Sequence, residues 1–222
     1  MKKTVLAALL VAVGACATDS FDSNAQGGTL IPYPNIGVEN PETYIFTATD
    51  TGPVTAYFAG THAGFTEVVG MTVNGNPTGI TGLNNQTSGI GTSIVLGNVN
   101  AGDVLVFFDQ VITTGKTWFS NPALNGGDGQ HVYSALYDGL HPPFNGTIPA
   151  GVYVGFEDLP KNSQSNFDYF DDTFVITNVS ATTNETSLPA ALPLFATGLS
   201  GLGLLGWRRK RNAASLAACL KH

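Results

Sequence analysis

From residue 43 onward, apolar and polar positions alternate over short runs separated by turn-forming residues. The runs are Thr43–Thr49 (TYIFTAT), Val54–Ala59 (VTAYFA), Glu67–Val73 (EVVGMTV), Ser93–Leu96 (SIVL), Val104–Phe108 (VLVFF), His131–Tyr137 (HVYSALY), Val152–Phe156 (VYVGF) and Thr173–Val179 (TFVITNV). Val, Ile, Thr, Tyr and Phe dominate them, and these residues suit a pleated, half-buried surface. The gaps hold Asp50-Thr51-Gly52-Pro53, Asn74-Gly75-Asn76-Pro77, Asn100-Ala101-Gly102-Asp103 and Asn125-Gly126-Gly127-Asp128-Gly129, which are turn chemistry. No sustained helical period with caps interrupts the series. Short strands without helical crossovers predict an all-β domain over 43–179, an antiparallel β-sandwich of jelly-roll-like type.

The ends follow a different pattern. Met1-Lys2-Lys3, an apolar run from Thr4 to Ala15, and Ala15-Cys16-Ala17 have the three parts of a secretory signal peptide, with Ala15 and Ala17 at the cleavage site. Val13-Gly14-Ala15-Cys16 is also similar to a bacterial lipobox, whose Cys would carry lipid. Residues 18–42 read as a flexible leader. Ser180–Ser187 (SATTNETS) reads as a polar linker. Leu188 to Trp207 then runs 20 residues without a charge, about 30 Å as a helix and enough to span a bilayer. Arg208-Arg209-Lys210-Arg211 follows as a cytoplasmic stop, which leaves the preceding domain outside. Residues 212–222 form a short tail with no evident role.

Charge sharpens this picture. All 16 acids of the 222-residue chain lie between Thr18 and Leu188, where Lys116 and Lys161 are the only Lys or Arg. Two cations against sixteen acids leave −14, a charge that a phosphate backbone would repel, so nucleic-acid binding is excluded. Charged residues make up 11% of the chain, too few for a charge-rich disordered polymer. The only cysteines are Cys16 and Cys219, so a domain over 43–179 must hold its sandwich without a disulfide, which its length allows.

The C-terminal segment carries a resemblance. Leu188, Pro189, Ala190, Ala191, Leu192 and Pro193, the Gly-rich apolar stretch and Arg208–Arg211 together resemble a PEP-CTERM sorting signal, closest to its VPLPA-CTERM variant. Thr186-Ser187 stands where that variant has Val-Pro. The resemblance implies an inner-membrane intermediate of a Gram-negative bacterium, processed by an exosortase near the Pro motif. The product would go to the cell surface or an exopolysaccharide matrix.

Candidate chemistry concentrates in one stretch. Glu157, Asp158, Asp168, Asp171 and Asp172 fall within 16 residues. If the runs on either side pair as a hairpin, these carboxylates converge at one end of a sheet. A hard divalent ion such as Ca²⁺ would then relieve their repulsion; a solvated acidic loop is the alternative. The same stretch, with Phe156-Glu157-Asp158, Asp168-Tyr169 and Asp171, is similar to the C-terminal signature of the DUF4114 family, which implies Ca²⁺ as a cofactor. Asn166 and Phe170 replace an Asp and an Asn of that signature.

No catalytic set is present: His62, His131 and His141 belong to no zinc or triad motif. Glu157 and Asp158 are neighbours and would point to opposite faces of a strand, unlike a glycosidase pair. Trp118, beside the Asn- and Gly-rich loop 120–130, is a candidate glycan contact. The sequence therefore predicts a non-enzymatic, structural or adhesive exported protein, with a carbohydrate-binding module for extracellular polysaccharide as the alternative.

Overall fold

The computed structural model describes residues 31, 33–140, 144, 146–162 and 165–183. The signal peptide with Ala15 and Ala17, the sorting motif Leu188–Pro193, the apolar span to Trp207 and Arg208–Arg211 lie outside them. Among the described residues, no helix is long and apolar enough to cross a membrane.

Among the described residues, eleven strands form two antiparallel sheets. They are β1 Tyr44–Ala48, β2 Gly52–Thr61, β3 Glu67–Val73, β4 Asn76–Gly82, β5 Ser93–Val99, β6 Val104–Val111, β7 Lys116–Phe119, β8 Val132–Tyr137, β9 Gly151–Phe156, β10 Asp172–Thr177 and β11 Val179–Thr183. The first sheet runs β11-β1-β6-β3-β4, with β7 also paired to β6, and the second runs β5-β2-β10-β9-β8. Each predicted run lies largely within a strand. β4, β7 and β11 were not predicted.

The inner faces of both sheets share one apolar core. Phe46, Met71, Leu105 and Phe107 from the first sheet pack in the same cluster as Phe58, Leu96, Phe156, Phe174 and Ile176 from the second. Phe46 meets Phe107 edge-on at 5.2 Å between centroids, and Phe174 packs against both Phe58 and Phe156. Each buried side chain of this size contributes about 1.5–3 kcal/mol. A second cluster covers the outer face of the five-stranded sheet, where Ile31, Phe144 and Ile148 pack on Ala59, Tyr153 and Val175.

Two boundaries differ from the sequence expectation. Ile31, Tyr33 and Asn40, expected in a flexible leader, are buried. The Asn40 amide group donates to the Tyr44 hydroxyl and the Val132 carbonyl, so the leader's last part is docked on the sandwich. Ser180–Thr183, expected in the linker, continue the first sheet as β11 and pair with β1. The change of sheet occurs at Asn178, whose φ is 60°, a conformation that Asn tolerates better than most residues. Its side chain accepts from Thr49 Oγ1 and the Asp50 amide and donates to the Asp50 and Pro53 carbonyls. The C-terminal crossover is thereby pinned to the β1–β2 corner.

Candidate metal centre

Strand alternation, which normally places apolar side chains inward, places three acids there. On β3, Glu67 is in phase with the buried Val69 and Met71; on β6, Asp109 is in phase with Leu105, Phe107 and Val111; on β10, Asp172 is in phase with Phe174 and Ile176. In the β3–β6 ladder, Val69 lies opposite Asp109 and Glu67 opposite Val111, so the two acids are diagonal neighbours on one inner face. Asp172 meets them from the other sheet, held between Thr61 of β2 and Phe156 of β9. All three are fully buried, with ligand oxygens within 4.8 Å of one another.

A second group adjoins the first. Glu157 and Asp158 follow β9 and Asp171 precedes β10; one oxygen from each lies within the same 4.8 Å. The antiparallel β9–β10 pairing brings them together, as the hairpin expectation required. The Asp171 amide donates to the Phe156 carbonyl at 3.1 Å, and the Asp158 amide donates to Asp171 Oδ2 at 2.8 Å.

The backbone of this corner is braced by an aromatic pair. Trp118 Nε1 donates to the Asp158 carbonyl at 2.7 Å, and His131 Nδ1 donates to the Glu157 carbonyl at 2.8 Å. The two rings stack at 3.7 Å and are nearly parallel. Burial lowers the His131 pKa and favours the neutral imidazole. Behind the corner, the loop before Asp171 crosses β9 at Gly155, where a Cβ would stand 2.3 Å from the Tyr169 carbonyl oxygen. Glycine at 155 is what permits that approach.

The electrostatics are unusual for a protein interior. Both carboxylate oxygens of Glu67, Asp109, Glu157 and Asp172 are buried without a hydrogen-bond partner. Among the described residues, the lysines are occupied elsewhere: Lys161 pairs with Glu39, and Lys116 lies 6.0 Å over the Trp118 ring. Burial, reinforced by Asp109, pushes the Glu67 carboxyl up to about 12. Burial raises Asp109 and Asp172 well above the usual carboxylate range, with Asp158 adding to the first and Asp109 to the second. Burial lifts Glu157 to about 7 and, with repulsion from Asp158, Asp171 to about 9. Asp158 acts on each of the other five acids, so the two groups are electrostatically one cluster.

Ionised together without a counter-charge, these groups are costly. Two unit charges within 4.8 Å of one another repel by at least about 3.5 kcal/mol at an effective dielectric of 20. The desolvation of each carboxylate adds to that. The acids must therefore hold protons or a cation, and their geometry can hold a metal ion.

Four of the five sequence-predicted acids enter the cluster, divided between its groups. Asp168 does not. Its carboxylate caps its own loop, accepting from Asn166 Nδ2 at 2.6 Å and from the Phe170 amide at 3.1 Å. Glu67 and Asp109 were missed, although acids in phase with Val69-Met71 and with Leu105-Phe107 were the signal that could have found them. The expectation for Trp118 is corrected. It is 4% exposed, His131 covers one face and its N–H is spent on Asp158, so it offers no platform to a sugar.

Comparison with protein-family models, with curated proteins and with solved structures finds no match.

Proposed function

We propose that this chain is an exported structural or adhesive protein of the cell surface or exopolysaccharide matrix of a Gram-negative bacterium. On this reading its jelly-roll-like sandwich is held closed by Ca²⁺, and it has no catalytic role. The observation that carries the calcium part is the set of buried carboxylate oxygens without partners. The donors in both groups are carboxylate oxygens, which favour hard cations over zinc or copper. Several carboxylate oxygens converging within 4.8 Å suit Ca²⁺, which takes about six to eight oxygen ligands in flexible geometry.

Destination rests on the two ends of the sequence. The Lys2-Lys3 signal peptide, the Leu188–Pro193 motif, the transmembrane helix over the apolar span and the Arg208–Arg211 stop support export, anchorage in the inner membrane and cleavage by an exosortase. The PEP-CTERM and DUF4114 resemblances belong to this reading.

Thermal melting of the full chain in calcium and in chelator tests the calcium part. At a free calcium concentration 100-fold above Kd, binding stabilises the fold by about 2.7 kcal/mol. For a chain of this size that is a rise of about 5–11 °C. Equal melting temperatures in calcium and chelator would refute it.

A further inference from the structure

We propose that Glu67, Asp109 and Asp172 hold a second Ca²⁺ ion inside the sandwich, bridging the two sheets, beside the outer ion at Glu157, Asp158 and Asp171. This rests on the metal-binding reading above and deepens it by assigning a separate ion to each group. An acidic cluster alone would not carry it. The second observation is that all three side chains are fully buried, aim at one another, and have six oxygens without a partner.

Those six oxygens equal the lower limit of calcium coordination if each carboxylate binds through both of its atoms. Glu67 and Asp109 come from one sheet and Asp172 from the other, so an ion here ties the sheets together where the apolar core ends. Two divalent cations would neutralise four of the six charges. Burial also implies a kinetic property: the inner ion enters as the sheets close and leaves only when they part.

The test is the calcium content of the full chain, refolded in calcium, desalted and measured by native mass spectrometry. Two ions per chain are expected, one lost quickly to chelator and one retained until denaturation. The Asp109→Asn/Asp172→Asn variant should lose the retained ion and keep the other, whereas Glu157→Gln/Asp171→Asn should lose the labile ion. One ion per wild-type chain, removed by the outer substitutions but not the inner ones, would overturn the second site and leave the first standing. No bound calcium in the wild type would overturn both. If the inner acids instead share protons, the Asn variant keeps the wild-type ion count and melts higher than wild type in chelator, which also defeats the proposal. Should the double variant fail to fold, the wild-type count and terbium emission sensitised by Trp118 decide. Two phases of emission loss in chelator, differing at least 100-fold in rate, are expected, and a single phase counts against an inner ion.

Discussion

Replacement of Trp118 separates a structural indole from a ligand-binding one. Its N–H donates to the Asp158 carbonyl at 2.7 Å and its ring stacks on His131 at 3.7 Å. Trp118→Phe keeps an aromatic face but leaves the Asp158 carbonyl without its donor, a loss of about 1–3 kcal/mol. Trp118→Ala also removes the buried ring, for a total of about 3–5 kcal/mol. A chain of this size loses about 2–4 °C per kcal/mol. The Phe variant should therefore melt about 2–12 °C lower, and the Ala variant about 6–20 °C lower. Scanning calorimetry in saturating calcium measures both. An Ala variant melting within about 1 °C of wild type would refute the buried placement and restore the exposed glycan platform.

Two further outcomes follow from the acidic corner. In chelator, Glu157 binds its proton more tightly folded, at about 7, than unfolded, at 4.5. Stability is then highest at the acidic side of this window and falls as pH rises through it, by about 3 kcal/mol from this group. His131, with its pKa depressed below 6.5 by burial, works in the opposite direction below that pH. Glu157's share is spent by about pH 7, and from pH 6.5 to 9 the fall is carried by Asp171, held at about 9; urea midpoints that rise over this range in chelator would contradict it. Gly155→Ala places a methyl 2.3 Å from the Tyr169 carbonyl oxygen and must displace the loop leading to Asp171. It should raise the calcium concentration for half-maximal stabilisation about tenfold, equivalent to 1.4 kcal/mol, and an unchanged midpoint counts against that geometry.

What could be read from the chain followed from how strongly each segment declares its period. Strands such as β6, with Leu105, Phe107 and Val111 inward, announce themselves through alternation. β4 does not, because nearly all of Asn76–Gly82 faces solvent. It becomes a strand through the Asn74-Gly75 turn, with φ of 50° and 81° at those two residues, which folds it back on β3. Its Pro77 is tolerated because β4 lies at the sheet edge. β7 is four residues long, with Trp118 alone buried in it. β11 follows β10 after one left-handed residue, so a single apolar run conceals a change of sheet. The outer acids were legible because they crowd together in sequence. Glu67 and Asp109 lie far from them along the chain, and only strand pairing gathers them.

The order of strands also sets when the sandwich can close. Thr173 on β10 donates to the Gly60 carbonyl on β2, 113 residues earlier, and Ser180 on β11 reaches Thr47 on β1, 133 residues earlier. At about 5–20 residues per second, the early strand β2 waits about 6–23 s for its neighbour to be synthesised. Both sheets thus depend on a late-arriving strand. Until then β2 has only β5 beside it and β1 only β6, so each sheet carries an unfilled edge that its last strand must cover.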